Sequence, residues 1–196
     1  VIVVRSDQPW SGTLCFDLGC SLGAATLAIA RHVPPDCRVI GIDNSPDMVA
    51  RCRTILAAEA PAAPVEIRCE DVRETPVHDA SLVAMNFTLQ FVPTEDRAAL
   101  LARLCAGLVP GGCLVLSEKI AFADPAEQEL LQRLHHEFKH LQGYSRLEIA
   151  QKRAAIENVL IPETLQTHRE RLLAAGFRRV TVWLQCLNFV SLLAEK

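Results

Sequence analysis

Several features are scarce or missing in this sequence, and each absence excludes a class of protein. Lysine and arginine number 20 against 23 aspartates and glutamates, for a net charge of -3, and no basic stripe is present. We therefore expect no direct contact with nucleic acid, which requires a basic face. No apolar run approaches the length of about 18 residues that a membrane-spanning helix needs, and no signal peptide is visible. These absences favour a cytoplasmic protein without a membrane partner.

The eight cysteines form no C-x-x-C pair, which excludes zinc ribbons and redox motifs. Most of them lie in apolar runs, as expected of buried, reduced thiols in a cytosolic protein. With 196 residues, of which 50% are hydrophobic, residues 1–196 are predicted to form one domain with a substantial core. Because the chain begins at Val1 rather than at a methionine, we expect an N-terminal segment to be missing from it.

Strands and helices are predicted to alternate along the first two thirds of the chain. The sequence predicts strands at residues 13–18, 38–43, 65–69, 81–87 and 112–118, and helices at residues 23–33, 46–59 and 94–108. The sequence Asn44-Ser45-Pro46 indicates a helix start with Asn44 as its cap, and residues 109–112 indicate a turn. This order predicts an α/β fold, a doubly wound and mostly parallel sheet.

After Glu118 the pattern changes to consecutive helices, predicted at residues 124–142, 146–159 and 163–175. The segment of about residues 120–160 would then be a helical insertion after the fifth strand. The stretch from Phe177 to Ala194 contains two apolar runs hinged near residues 186–188. It predicts an antiparallel pair at the edge of the sheet.

The pattern D-x-G-x-S-x-G at residues 17–23 lies where a strand leads into a helix, and glycines there let the backbone approach a ligand. Asp43 stands twenty residues past Gly23 and ends the next strand, where an acid can accept both hydroxyls of a ribose. Together they predict an adenosine site. A plain tight turn and an ordinary strand end are the alternatives.

Two further candidates follow later strands. Asp71 and Val72 follow the third strand, where an acid and a backbone N–H can bind adenine, although a solvated loop has the same composition. Asn86 ends an otherwise apolar strand, so its amide needs a partner, either a ligand or the backbone.

The sequence His136-Glu137-Phe138-Lys139-His140 matches the H-E-x-x-H pattern of zinc proteases, with Glu157 or Glu163 as possible third ligands. It follows a complete nucleotide-binding half, and an apolar stripe on the same helix places the histidines at its margins. We therefore expect no metal site.

A series of segments from Leu14 onward carries a further signal: residues 17–26, 42–46, 86–91, 116–119, 151–153, 157–159 and 185–189. Together these segments resemble the carboxy-S-adenosyl-L-methionine synthase family, within the class I S-adenosylmethionine-dependent methyltransferase superfamily. The resemblance implies that S-adenosyl-L-methionine and prephenate are converted into carboxy-S-adenosyl-L-methionine and phenylpyruvate. The product would supply the carboxymethyl donor for 5-oxyacetyl uridine at the tRNA wobble position. A homodimer is also implied.

The resemblance assigns roles to particular residues. Gly19, Cys20 and Ser21 would line the methionine and ribose side of the ligand. Asp43 and Asn44 would hold the ribose, and Asp71 and Val72 the adenine. Asn86 would face the sulfonium, and Arg153 would be the catalytic cation that binds the added carboxylate.

Arg153 also makes chemical sense apart from the family, because a guanidinium binds carboxylates bidentately. An ordinary small-molecule methyltransferase needs no such cation, since its cofactor is already positive at sulfur. An ordinary methyltransferase and a module that only sequesters the cofactor are the alternative functions. For Arg153, the alternative is an ordinary surface arginine.

Overall fold

The computed structural model describes residues 11–145, 148 and 160–196. The strands are β1 (Leu14–Leu18), β2 (Arg38–Asp43), β3 (Val65–Cys69), β4 (Ala80–Asn86), β5 (Leu108–Ala121), β6 (Glu163–Thr164), β7 (Arg179–Cys186) and β8 (Phe189–Glu195). The helices are α1 (Ala24–Ala30), α2 (Pro46–Glu59), α3 (Thr94–Gly107), α4 (Pro125–Leu141) and α5 (Leu165–Ala174), with a short 3-10 helix at Leu89–Phe91.

Seven strands form the sheet in the order β3-β2-β1-β4-β5-β8-β7, and β6 adds beside the end of β5. The first five in this order are parallel, and β8 and β7 are antiparallel at one edge. The chain leaves β1 toward β2 and later returns to its other side at β4. This reversal opens a crevice at the carboxyl ends of β1 and β4. The predicted fold class is confirmed.

Apolar side chains cover both faces of the sheet, because successive residues of a strand point to opposite sides. On β1, Phe16 and Leu18 belong to the larger core cluster, which also contains Leu101 of α3 and Leu172 of α5. Cys15 points to the other face and packs with residues of α1 and β2. A sheet buried on both faces needs the continuous apolar strands that the sequence contains.

The start of α2 differs from the prediction in one detail. Its cap is Ser45, whose hydroxyl accepts from the N–H of Met48 over 3.4 Å; Asn44 was predicted for this role. Ser45 stands directly before Pro46, which occupies the first turn of the helix. The cap position immediately precedes that turn, so Asn44 lies one residue outside the helix and its side chain is exposed.

Other boundaries shift for similar local reasons. The predicted turn at residues 109–112 lies within β5, which runs from Leu108 with an irregular register opposite Ala80. The helix predicted from residue 163 begins at Leu165, because Thr164 is its cap and accepts from the N–H of Thr167 over 3.1 Å. Apart from residue 148, the predicted helix at residues 146–159 lies outside the described residues. The predicted hairpin of β7 and β8 is confirmed.

Six of the eight cysteines are buried and two, Cys69 and Cys186, are exposed; all eight are free thiols. Burial raises the pKa of Cys15 to about 11 and that of Cys113 to about 12. These thiols therefore stay protonated at neutral pH, in line with the prediction of buried, reduced cysteines. Among the described helices, none combines the length and the apolar character needed to cross a membrane.

Candidate active site

The loop between β1 and α1 is attached by its backbone to the end of β2. The N–H groups of Gly19 and Cys20 both donate to the carbonyl oxygen of Ile42, each over 2.8 Å. Ser21 has a φ of 49°, and its N–H donates to Oδ2 of Asp43 over 2.9 Å. The loop and the carboxylate predicted to bind a ribose are therefore held together.

Gly19 is required by both its backbone and its surroundings. Its φ is 82°, a conformation that residues with a Cβ rarely adopt. A Cβ at this position would lie 2.0 Å from Oγ1 of Thr88. The loop thus makes a close approach to the segment that follows β4, and only glycine leaves room for it.

The Asp43 carboxylate accepts a hydrogen bond at each oxygen. Oδ2 accepts from Ser21, and Oδ1 accepts from the N–H of Ser45 over 2.9 Å. A carboxylate has about four acceptor positions, so each oxygen keeps one position for a further donor. This arrangement fixes the carboxylate and leaves it able to accept two hydroxyl groups.

Asp17 lies beneath the loop and is only 1% exposed. Thr26 of α1 donates to its Oδ2 over 2.6 Å, and burial raises the pKa of Asp17 to about 6. The contact joins the end of β1 to α1. Asp17 therefore fixes the start of the helix rather than forming part of the crevice wall.

Asp71 and Arg73 form an ion pair after β3. The guanidinium of Arg73 donates to Oδ2 of Asp71 over 2.7 Å and also reaches Asp96 over 3.1 Å. These hydrogen bonds hold the pKa of Asp71 below its usual value. Asp71 is therefore ionised near neutral pH and acts only as an acceptor.

Asn86 ends β4 and bonds to the neighbouring strand. Its Oδ1 accepts from Oγ of Ser117 over 2.7 Å, so the amide oxygen has a side-chain partner within the sheet. Phe87 follows with a φ of 55°, which is unusual for a residue with a Cβ. This turn of the chain brings Phe87 and Thr88 to the crevice.

Glu118 of β5 holds the 3-10 helix Leu89–Phe91 against the sheet. Its two carboxylate oxygens accept from the N–H groups of Leu89 and Gln90 over 3.0 and 3.1 Å. Burial raises the pKa of Glu118 to about 8. The carboxyl group thereby fixes the segment whose end, Phe91, forms part of the crevice.

These elements enclose a pocket of about 630 Å³ at the carboxyl ends of the parallel strands. Its size falls in the range of small-molecule and cofactor sites. It brings together most of the residues singled out in the sequence. The lining residues are Gly19, Ser21, Asp43, Asn44, Asp71, Val72, Arg73, Asn86, Phe87, Thr88, Phe91, Val92 and Pro93.

Cys20 is placed differently from its neighbours in the loop. Its side chain is 5% exposed and packs in a core cluster with Cys52, Val49 and Leu56 of α2. The thiol therefore points into the core, and the prediction that Cys20 lines the ligand depends on its backbone. Its backbone remains part of the loop.

Comparison with curated proteins shows the family of this chain. It is 57% identical to the carboxy-S-adenosyl-L-methionine synthase of Marinobacter nauticus, over 100% of this chain and 78% of that protein. It is 54% identical to the carboxy-S-adenosyl-L-methionine synthase of Geobacter metallireducens, over 99% of this chain and 80% of that protein. The chain belongs to the carboxy-S-adenosyl-L-methionine synthase family. It is therefore an enzyme, a transferase.

The fold agrees with this membership. The family model described as a methyltransferase domain matches residues 16–112, which span β1 to the first part of β5. An O-methyltransferase family 2 protein from Planctomyces limnophilus superposes with a TM-score of 0.71 at 20% identity, covering 99% of this chain and 55% of its own. A putative O-methyltransferase from Nostoc punctiforme gives 0.69 at 15% identity, with coverage of 95% and 53%. These structures share the fold.

Sequence reasoning missed several members of the pocket. Phe87, Thr88 and Phe91 come from the segment after β4, and Arg73 from the loop after β3. A signal for them was present: Asn86 marked the carboxyl end of a parallel strand, where ligands bind in such sheets. Extending the candidate site by two residues beyond Asn86 would have included Phe87 and Thr88.

The side chains of the H-E-x-x-H sequence are exposed or half-buried. Its histidines lie on α4, where the ring of His140 hydrogen-bonds to the carbonyl of Tyr144 over 3.2 Å. The suggested ligand Glu163 instead pairs with Arg97 and Arg171. Within residues 11–145, 148 and 160–196, no group of three or more His, Cys, Asp or Glu side chains is placed to hold a metal ion.

Arg153, the expected carboxylate-binding cation, lies outside the described residues, as does Glu157. Its role stays a prediction.

Proposed function

We propose that this enzyme converts S-adenosyl-L-methionine and prephenate into carboxy-S-adenosyl-L-methionine and phenylpyruvate. The proposal is carried by one observation. A ligand-sized pocket at the reversal point of the sheet is lined by seven of the residues expected to bind the adenosyl ligand, in a chain that is 57% identical to a protein named for this product.

The pocket residues fit S-adenosyl-L-methionine in their chemistry. Asp43 retains an acceptor position on each oxygen, which matches two ribose hydroxyls. Asp71 is an ionised acceptor suited to the adenine amino group, beside Val72. Gly19 has no room for a side chain beside Thr88, so the loop presents its backbone to the pocket at this position.

The reaction balances without a protein base. The sulfonium makes the attached methyl group acidic; that carbon loses a proton and gains carbon dioxide. Prephenate loses carbon dioxide and hydroxide to become phenylpyruvate, and the hydroxide and the proton form water. The enzyme's part is proximity and electrostatic positioning.

The acidic residues of the pocket are poorly suited to act as a base, which supports a reaction without one. Asp71 is paired with Arg73, which lowers its pKa and makes it a poor base. Both oxygens of Asp43 already accept backbone N–H groups. We assign Arg153 to the added carboxylate, on the strength of the family resemblance and of guanidinium chemistry.

We further propose that the enzyme is a homodimer and that α4 contributes to the interface. Four apolar side chains on this helix are at least two-fifths exposed: Leu130 at 44%, Leu134 at 42%, Phe138 at 53% and Leu141 at 81%. A contiguous apolar surface of this kind is typical of a protein contact. Sedimentation of the wild type beside Phe138→Glu tests it, with a monomeric variant expected.

The product would serve a separate tRNA-modifying enzyme in the cytoplasm as donor for 5-oxyacetyl uridine at the wobble position. The net charge of -3 favours a protein that does not itself hold the tRNA.

Mass spectrometry tests the reaction. The protein is incubated with S-adenosyl-L-methionine and prephenate labelled with carbon-13 at the carboxylate that is lost. We expect a nucleoside product heavier by the mass of the labelled carbon dioxide, about 45 Da, and by about 44 Da when the prephenate is unlabelled. A folded protein that gives no such product would contradict the proposal.

The same assay separates the enzyme from an ordinary methyltransferase. For a carboxylating enzyme, Arg153→Ala should abolish most product formation, because the anion loses its charge-assisted hydrogen bonds, each equivalent to roughly 10- to 100-fold in affinity. An ordinary methyltransferase would retain transfer to its acceptor in this variant. Arg51→Ala, which removes an exposed cation of α2, is the control.

A further inference from the structure

A row of four polar side chains crosses the sheet and ends at the pocket. Asn86 of β4 is the register partner of Ser117 of β5, and Ser117 is the register partner of Ser191 of β8. Side chains of register partners point to the same face of a sheet. Trp183 of β7 completes the row beside Ser191.

Hydrogen bonds connect all four residues. Nε1 of Trp183 donates to Oγ of Ser191 over 2.7 Å. The hydroxyl oxygens of Ser191 and Ser117 are 2.8 Å apart, and Ser117 donates to Oδ1 of Asn86 over 2.7 Å. Ser117 and Ser191 are 8% and 4% exposed, so the centre of the row is shielded from water.

The hydrogen bonds of the row run in one direction. Ser117 donates its only hydroxyl hydrogen to Asn86, so Ser191 must be the donor in the hydrogen bond between the two serines. Ser191 in turn accepts from the indole N–H of Trp183, which can only donate. The amide oxygen of Asn86 is thereby committed to the sheet, and the amide NH2 is the group left for the pocket that this residue lines.

The backbone of β7 is irregular where Trp183 contributes to the row. Val182 pairs with Leu192 and Leu184 pairs with Ser191, so Trp183 is an extra residue between two register pairs. Such a bulge redirects a side chain relative to regular alternation. Here the indole N–H reaches Ser191.

We propose that this row positions Asn86 so that its amide presents a hydrogen-bond donor to the carboxylate of the carboxylated ligand. The inference rests on the proposed function and deepens it. S-adenosyl-L-methionine carries a positive sulfonium with a plain methyl group, which offers an N–H donor no acceptor. The carboxylated product carries an acceptor at that carbon. The row therefore contributes to selection between the two ligands.

Trp183→Phe is the sharpest variant. It retains an aromatic ring at a half-exposed edge position and removes only the N–H that donates to Ser191. We expect the Kd for carboxy-S-adenosyl-L-methionine to rise roughly 3- to 10-fold, the range of one hydrogen bond, with the Kd for S-adenosyl-L-methionine unchanged. Isothermal titration calorimetry with both ligands measures the two values.

Two variants complete the test. Asn86→Asp keeps the acceptor toward Ser117 but replaces the donor by an anion. It should weaken the carboxylated ligand by more than Trp183→Phe does, relative to S-adenosyl-L-methionine. Ser81→Ala removes a buried hydroxyl that accepts from Thr13 over 2.8 Å at the opposite end of β4. This control should alter neither Kd.

The outcomes distinguish a failure of the role proposed for the row from a failure of the proposed reaction. Equal changes in both Kd values in Trp183→Phe and Asn86→Asp would overturn the role of the row, even if the wild type forms the carboxylated product. A wild type that forms no such product from S-adenosyl-L-methionine and prephenate would overturn the proposed function instead. A change confined to the carboxylated ligand supports the row.

Discussion

Ser21 and Asp43, 22 residues apart in sequence, are joined by a hydrogen bond of 2.9 Å from the backbone of one to the carboxylate of the other. The contact links the β1–α1 loop to the end of β2. A single carboxylate thereby orders the loop and keeps acceptor positions for a ligand. A substitution of Asp43 should therefore affect both the order of the loop and the binding of the ligand.

Asp43→Asn should weaken S-adenosyl-L-methionine binding by roughly 10- to 100-fold, the range for hydrogen bonds to a charged group. The new NH2 must face a backbone N–H of Ser21 or Ser45, and the negative charge is lost. Calorimetric titration measures the effect. Asp79→Asn makes the same chemical change at a side chain that is 80% exposed and should leave the affinity as it is. Equal affinities in the two variants would refute the role of Asp43.

Gly19→Ala should destabilise the fold and abolish ligand binding, because the new Cβ meets Thr88 at 2.0 Å. Gly111→Ala is the matched control: its φ of 78° imposes a similar backbone strain, of about 1–2 kcal/mol, but nothing lies within 4 Å of its Cβ. Thermal melting compares the two. A loss in Gly19→Ala no larger than in Gly111→Ala would mean that the close approach to Thr88 is unimportant.

His168 should make the protein less stable in acid. Its two ring nitrogens are buried without a hydrogen-bond partner among the described residues, and burial lowers its pKa to about 4. Below pH 6.5 the unfolded chain takes up a proton that the folded protein resists. The stability that depends on neutral His168 is thus fully present above pH 6.5 and is lost as the pH falls toward 4.

His168→Leu removes this dependence. The drop in the free energy of unfolding between pH 7 and pH 5 should be smaller than in the wild type by about 2 kcal/mol. Urea unfolding at the two pH values measures it, and His78→Leu, at an exposed histidine, is the control. Parallel pH profiles for wild type and His168→Leu would contradict the assignment.

Arg97→Leu should destabilise the protein by about 3–5 kcal/mol, the cost of breaking a buried ion pair. The side chain of Arg97 is fully buried; it donates to the carbonyls of Val92, Gln90 and Ile161 and pairs with Glu163. Burial alone would raise the pKa of Glu163, but hydrogen bonds from Arg171 and Arg97 outweigh it and hold the value at about 2.

Chemical denaturation measures this loss. Arg31→Leu, which breaks an exposed pair with Glu59, should cost no more than about 1 kcal/mol. Because Arg97 also anchors the chain at Gln90 and Val92, its removal should loosen the pocket wall and weaken ligand binding. Similar losses in the two arginine variants would show that burial of Arg97 adds nothing.

Local patterns were sufficient to predict the parallel strands. Residues 38–43 match β2, whose apolar run is typical of a strand buried on both faces. Residues 65–69 match β3, whose alternation of apolar and charged residues is typical of a strand that is only partly buried. The two details that failed at helix starts depended on single capping hydrogen bonds. Ser45 caps α2 although its neighbour Asn44 is equally suitable by type, and Thr164 delays the start of α5 to Leu165.

The pocket could be predicted only where its residues follow strands directly. Asp43 and Asn86 stand at strand ends, and this position alone marked them. The partners of Asn86 could not be predicted, since Ser117 and Ser191 join it through the register of three strands that are far apart in sequence. A single sequence contains no direct record of that register.

The extra residue at Trp183 has a consequence beyond the pocket. In the order of the strands β7 is outermost, and a straight outermost strand offers evenly spaced N–H and C=O groups on which another molecule can build. The irregularity between Val182 and Leu184 interrupts that spacing and increases the local twist. The bulge that brings the indole of Trp183 to Ser191 therefore also discourages self-association through the edge of the sheet. A variant with a regular β7 would be more prone to aggregate, and its selectivity between the two ligands would change as well.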